Sequence, residues 1–315
     1  MTTVLIFHRV EEHHLQRLGS AFPGVTFVPC EDRECLEGHL PEAEALVSFK
    51  CDEGMLSKAP RLKWVQALST GVDSFPRKEL AARNIALTST RGIHARHMAE
   101  YALAALIMLA RNLHRVAKNQ TRQTWEQLPQ GEIQGKVLAI VGLGSIGREV
   151  ARKAAFMGME VLGVKRRPGA LPDVRRVLGM EGLPEILARS DYVINLLPHT
   201  PETESLFNRE RFRQMKEGAC FINMGRGSSV VEDDLLEALQ TEHLGGFVGD
   251  VFRQEPLPAE HPLWQEEKAM ITPHICGVST AYMDKALPVI EHNLQAFLQG
   301  RPEEMHNRVE PDAPY

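Results

Sequence analysis

The stretch VLAIVGLGSIGREVARKAAFMGMEVLGV, Val137 to Val164, decides the fold. An apolar run leads into Gly142, Gly144 and Gly147, a helical pattern follows, and a second apolar run closes the unit. The first glycine permits a tight turn, the second lets backbone approach a pyrophosphate, and the third allows close helix packing. The helix N-terminus beside them supplies the positive end of a dipole, with Ser145 and Ile146 completing the loop. A bare G-x-G-x-x-G is weak evidence. Between two strands and at the head of a helix it favours a dinucleotide-binding unit over a mere glycine-rich turn.

Directly after this unit stand Lys165, Arg166 and Arg167, the first of them eighteen residues beyond Gly147. A dinucleotide fold usually places an acid here to bond the ribose hydroxyls. An acid would repel a phosphate, whereas a cation attracts one. The three residues therefore read as containing a receptor for the 2′-phosphate, with NADP(H) preferred over NAD(H). A solvated basic turn, helped by Pro168 and Gly169, is the simpler account for at least one of them.

Outward from this segment the chain reads as repeated βα units. The apolar runs VLIF, VTFV, ALVSF, KWVQAL and IALTST come before it. YVINLLP, CFINMG, GFVGDVF and AMITPHI come after. Short apolar runs alternating with amphipathic stretches predict parallel sheets covered on both faces. A long helix is expected from near His97 past Leu113 toward Trp125, and an amphipathic helix over Ala286 to Leu298. At 315 residues, two doubly wound α/β domains are the economical reading.

The formal net charge of −5 argues against a nucleic-acid or anionic-membrane partner. Cys30, Cys35, Cys51, Cys220 and Cys276 form no C-x-x-C pair, so reduced thiols and a cytoplasmic setting are expected. The N-terminus looks like a first strand and not a signal peptide. Ala102 to Ala110 is half a membrane span and reads as a buried helix. No metal site is expected. His94, His97 and Glu100 lack an H-E-x-x-H pattern, and His13 and His14, as helix neighbours, are expected to point apart.

Three polar residues follow strand-like runs in the second half: Arg226 after CFINMG, Glu255 after GFVGDVF, and His274 after AMIT. In an open parallel sheet the carboxyl ends of strands border the ligand crevice. Reduction of a ketone leaves negative charge on oxygen, which histidine can quench by giving a proton. A carboxylate beside the imidazole favours its charged form, and arginine can hold a substrate carboxylate through two parallel hydrogen bonds. Singly each has a bland alternative. On three strand ends of one dinucleotide fold, the catalytic reading is favoured.

At these residues the sequence resembles the D-isomer-specific 2-hydroxyacid dehydrogenase family, and within it the NADPH-dependent glyoxylate/hydroxypyruvate (2-ketoacid) reductases. VGLGSIGREVA, LLPHTPET, FINMGRGSSV, DVFRQEPLP, TPHICG and, in the first half, LKWVQALSTGVDSF carry the resemblance over nearly the whole chain. It implies a Rossmann cofactor domain inserted into a flavodoxin-like substrate domain, with 1–97 and 283–315 forming the discontinuous substrate domain and 98–282 the dinucleotide-binding domain. It further implies His274 as acid and base, Glu255 as its partner, and Arg226 as the residue that orients substrate. Ser69, Thr70, Gly71 and Val72 would bind the substrate carboxylate. Leu197, Pro198, Thr203, Met224, Gly225, Asp250 and Gly277 would line the cofactor site, with Arg166 first among the cations. A homodimer acting on a small 2-ketoacid is the implied assembly. A dinucleotide-sensing regulatory protein and a short phosphoglycerate dehydrogenase are the alternatives.

Overall fold

The structure is a computed structural model that describes residues 2–310. It divides into two compact units, one running to Ile93 and resuming at Ser279, the other comprising His94–Val278. Both divisions fall four residues before the boundaries expected from sequence. The reasons are local: His97 bonds through Nε2 to the Gly277 carbonyl at 3.0 Å within the second unit, whereas Tyr282 packs in the first unit's core and donates to the Leu68 carbonyl.

In the first unit, strands β1 (Thr2–Phe7), β2 (Val25–Cys30), β3 (Ala45–Ser48), β4 (Trp64–Ala67) and β5 (Ala86–Ser89) lie in the order β2-β1-β3-β4-β5, all parallel. This is the flavodoxin-like order. Alternate residues Val4, Ile6, Ala45, Val47 and Trp64 pack with Tyr282, Met283, Ala286, Leu287, Ile290 and Leu294 of the helix Tyr282–Leu298. The end of the chain thus completes the core begun by its start. Polar contacts fix that return, since Asn293 Nδ2 donates to Gln66 Oε1 at 2.8 Å in the interior.

The second unit carries β6 (Val137–Val141), β7 (Glu160–Val164), β8 (Arg176–Leu178), β9 (Tyr192–Asn195), β10 (Ala219–Asn223), β11 (Leu244–Gly249) and β12 (Ala269–Ile271). They form one parallel sheet in the order β12-β11-β10-β9-β6-β7-β8. The order reverses between β6 and β9, the topological switch point of a Rossmann fold. Strand alternation divides the interior: Ala139, Val141, Leu162, Val164, Val193 and Phe221 face one cluster, while Leu138, Ile140, Val161, Ile194 and Ile222 face the other. β8 escapes the sequence reading because three partly exposed residues with an arginine give no apolar run.

The single long helix expected toward Trp125 is instead two, Ala95–Ala110 and Leu113–Thr121. Asn112 breaks it in the left-handed region at φ 49°, and its side-chain amide donates to the Pro129 carbonyl at 2.7 Å. Asparagine tolerates this conformation and can bond locally in place of the helix ladder. Among the described residues, no helix is long and apolar enough to cross a membrane.

Two further expectations fail. Cys30 and Cys35 are joined by a disulfide, with Cα atoms 5.5 Å apart, because the chain turns from β2 into the helix Arg33–His39 between them. His13 and His14 do not point apart. Their rings lie 3.8 Å apart, and both approach Asp284 Oδ1, at 3.6 and 3.0 Å. His14 Nδ1 accepts the Glu11 amide at 3.2 Å, so its proton resides on Nε2, facing the carboxylate. That tautomer makes the trio a helix-end clasp and not a metal-ready set.

Candidate active site

The glycine loop leaves β6 and opens the helix Ser145–Phe156. Gly142 adopts φ 112°, and a Cβ there would lie 3.0 Å from the Leu196 backbone carbon and oxygen. At Gly147 a Cβ would meet the Gly142 carbonyl oxygen at 2.4 Å. Neither position tolerates a side chain. Gly144, at the helix N-cap, has nothing within 4 Å of where its Cβ would stand. Two glycines thus close the turn while the third keeps its face clear, which fits a pyrophosphate approaching backbone amides.

Lys165, Arg166 and Arg167 follow β7, and Arg166 and Arg167 are exposed. Among the described residues these three make no ion pair and no side-chain hydrogen bond. The Arg166 charge is felt across the loop after β9. There Glu202 is held below the usual carboxylate range by its own amide, by the Thr200 hydroxyl and, more weakly, by Arg166.

That loop carries Leu197, Pro198 and Thr203. The Thr203 hydroxyl donates to the Pro198 carbonyl at 2.7 Å and accepts the Thr200 amide at 2.8 Å, so it closes the turn from within. Behind it lies a polar network that sequence reading missed. Asn195 ends β9 and Asn223 ends β10, both buried, and Asn195 Nδ2 donates to Asn223 Oδ1 at 2.9 Å and to Ser229 Oγ at 2.8 Å. Asn195 Oδ1 accepts the Leu197 amide, and Asn223 Oδ1 accepts the Gly225 amide. Each asparagine therefore sets the path of the loop leaving its own strand, one holding Leu197 and Pro198, the other holding Met224, Gly225 and Arg226. The available signal was an asparagine closing each of two otherwise apolar runs.

Glu255 and His274 meet directly, with His274 Nδ1 2.7 Å from Glu255 Oε2. The other carboxylate oxygen accepts the Phe252 amide at 2.9 Å, which fixes the loop beyond β11. The Glu255 bond holds the His274 imidazole above its ordinary range, against the opposing effect of burial. Burial alone would raise Glu255, but the bonds from His274 and Phe252, with the charges of His274 and Arg226, leave it lowered. Arg226 acts electrostatically on both members of the pair and donates through Nη1 to the Gly225 carbonyl at 2.8 Å. The three residues expected to work together thus share one electrostatic neighbourhood.

His274 itself sits at φ 54°, a left-handed conformation uncommon for a side-chain-bearing residue. Its amide donates to the Asp250 carbonyl at 2.9 Å and the Thr272 carbonyl at 3.1 Å. The Asp250 side chain is fully buried and accepts from Thr272 Oγ1 at 2.5 Å, the Ile275 amide at 2.8 Å and the Cys276 amide at 2.9 Å. A conformation of this type costs about 1–3 kcal/mol and persists only where surroundings enforce it. Asp250 supplies that enforcement. Expected as a cofactor-site residue, it visibly shapes the loop that presents the histidine. Gly277, at the end of the same loop, anchors the first turn of the helix Ala95–Ala110 through His97, with buried His94 beside it.

Ser69, Thr70, Gly71 and Val72 belong to the first unit, in the loop leaving β4. Ser69 Oγ donates to the Gly71 carbonyl at 2.6 Å, and the Thr90 amide donates to the Ser69 carbonyl at 3.2 Å. Tyr282 supports the loop from below by donating to the Leu68 carbonyl. Beside it, the exposed Phe49 leaves β3, one residue after Ser48, whose carbonyl takes the Leu68 amide at 2.8 Å.

Comparison with known proteins agrees with this geometry. The NAD-binding-domain model of the D-isomer-specific 2-hydroxyacid dehydrogenases matches residues 103–276. A glyoxylate/hydroxypyruvate reductase A from Yersinia enterocolitica is 31% identical over 276 residues, covering 85% of this chain and 87% of the relative. Among solved structures, a D-isomer-specific 2-hydroxyacid dehydrogenase family protein from Aeromonas salmonicida superposes with a TM-score of 0.87 at 33% identity, covering 99% of each chain. An NADPH-dependent glyoxylate/hydroxypyruvate reductase from Sinorhizobium meliloti, solved with NADP and sulfate, gives 0.83 at 28% identity over the full length of both.

Proposed function

The chain belongs to the D-isomer-specific 2-hydroxyacid dehydrogenase family, and from that premise we propose that it reduces small 2-ketoacids to D-2-hydroxyacids with NADPH. Glyoxylate, hydroxypyruvate and longer 2-ketoacids form the substrate class. The observation that carries the reading is the 2.7 Å contact between Glu255 and His274 Nδ1, at strand ends beside a glycine loop built for a dinucleotide.

The residues that would hold the cofactor are Gly142, Gly144, Ser145, Ile146 and Gly147 for the pyrophosphate, Arg166 with Lys165 or Arg167 for the 2′-phosphate, and Leu197, Pro198, Thr203, Met224, Gly225, Asp250 and Gly277 around the remainder. When bound, the nicotinamide supplies the hydride equivalent for C2 of the ketoacid. His274 works from the proton side. Glu255 orients the ring through Nδ1, leaving Nε2 to give a proton to the substrate oxygen as negative charge develops there. In the reverse direction the neutral imidazole takes the proton from the hydroxyl. Arg226 draws the substrate carboxylate by charge-assisted bonds, and in the first unit the backbone of Ser69 to Val72 is assigned a carboxylate-binding role.

The cofactor preference rests on charge. One charge-assisted hydrogen bond contributes about 1.5–3 kcal/mol, and each ~1.4 kcal/mol is tenfold in affinity. One contact from Arg166 therefore suffices for a clear preference. A cytoplasmic homodimer completes the proposal, with Leu113, Val116 and Trp125 as exposed apolar groups for the contact.

A panel of glyoxylate, hydroxypyruvate and a longer 2-ketoacid, each assayed with NADPH and NADH, tests the reading. Turnover is expected with at least one ketoacid and a higher kcat/KM with NADPH. Tight NADPH binding without turnover of any ketoacid would favour a dinucleotide-sensing regulator instead.

A further inference from the structure

The two sulfurs of the Cys30–Cys35 pair in the first unit differ in reach. Cys30, the last residue of β2, is fully buried, whereas Cys35 on the helix Arg33–His39 is partly exposed. Their Cα separation of 5.5 Å suits a disulfide without backbone movement. One turn further along, His39 Nδ1 donates to the Cys35 carbonyl at 2.8 Å and lies 4.0 Å from Cys35 Sγ, which sets the imidazole beside the accessible sulfur. The remaining cysteines offer no comparable chemistry. Cys51 and Cys276 are buried and Cys220 is half-buried. Burial pushes the Cys51 and Cys220 thiols up to about 12 and raises Cys276 as well. A thiol that keeps its proton is a poor nucleophile.

We propose that Cys30 and Cys35 form a reversible thiol–disulfide site, with Cys35 as the sulfur that meets small disulfides and thiols and Cys30 as the sulfur that resolves the mixed disulfide. In oxidation, the Cys35 thiolate attacks a small disulfide RSSR, forming Cys35–S–S–R and releasing RS⁻. The Cys30 thiolate then attacks Cys35 Sγ, closing the Cys30–Cys35 bond and releasing the second RS⁻. Two electrons pass from the protein to the reagent, and the two thiol protons end on two RSH. Reduction retraces these steps, with the entering thiolate attacking the accessible Cys35 sulfur. The site occupies the carboxyl edge of the sheet in its own unit, the edge from which the Ser69–Asp73 loop also leaves.

The test is alkylation and peptide mass mapping of the native full-length protein after equilibration with reduced or oxidised glutathione. After reduction, a native pulse of alkylating agent should label Cys35, and a second pulse with a different reagent after unfolding should find Cys30 as a thiol. After oxidation neither residue should take either label, while Cys51, Cys220 and Cys276 remain thiols under both conditions. Cys30→Ala should accumulate a glutathione adduct on Cys35; Cys35→Ala should leave Cys30 unmodified. Two results overturn the proposal in the wild-type protein alone, whatever the variants do. One is a Cys30–Cys35 bond that persists through prolonged native reduction. The other is a pair that stays dithiol in oxidised glutathione.

Discussion

In the proposed reaction the chemistry turns on how His274 is held. Its left-handed backbone is enforced by Asp250, and its ring is oriented by Glu255. Because Glu255 raises the imidazole above its ordinary range, the protonated form that the proposed ketoacid reduction needs survives to higher pH. Reductive kcat/KM should therefore be full below the His274 pKa and fall as pH rises through it. In Glu255→Gln the raising partner is gone, so that falling limb should move to lower pH; a profile with an unmoved limb would mean the pair does not set the proton donor. Arg166 bears on cofactor choice at the same scale. Arg166→Ala should lower kcat/KM with NADPH by about tenfold or more, the loss of one charge-assisted bond, and leave NADH nearly unaffected. Equal effects on both cofactors would count against a 2′-phosphate contact.

At the scale of elements, loops are fixed by backbone geometry and by buried polar groups at strand ends. Gly147 tolerates no Cβ, because the Gly142 carbonyl would be 2.4 Å away. Gly147→Ala should force the loop and helix apart, seen as loss of NADPH binding in a fluorescence titration together with a lowered Tm; an alanine variant with wild-type affinity would show the close packing to be dispensable. The asparagines are a different case. Asn195→Leu would remove the acceptor of the Leu197 amide and one donor each from Asn223 Oδ1 and Ser229 Oγ in the interior, and an unpaired buried polar group costs about 1–3 kcal/mol. A drop in urea midpoint at constant m-value is the expected signature.

How much of this was legible follows the same physics. The strands β1 to β7 and β9 to β12 announce themselves as apolar runs, and the glycine loop by its spacing. His274, Glu255 and Arg226 stand out as polar residues just past strand ends. What stayed hidden depends on local competition or on contacts distant in sequence. Asn112 breaks a helix that periodicity alone would continue. β8 is too short and polar to register. The Cys30–Cys35 bond lies outside the usual C-x-x-C spacing, and the work of Asp250 needs three donors from a loop twenty-odd residues away.

Across the whole molecule, a Rossmann unit is inserted into a flavodoxin-like one, whose core is closed by the final helix. The second unit leaves Leu113, Val116 and Trp125 exposed. Sedimentation at micromolar concentration should give a dimer, and a monomer there would remove that part of the proposal. The central claim is that His274 is the proton donor in an NADPH-dependent ketoacid reductase. Its most direct test compares the wild-type protein with His274→Ala, measuring NADPH binding by fluorescence and NADPH oxidation with hydroxypyruvate as well as glyoxylate. General acid–base catalysis contributes about 10²–10⁴-fold, so the variant should bind NADPH normally and turn over slower by that order. Near-normal turnover in the variant, or none in a wild-type protein that binds NADPH, would contradict the account.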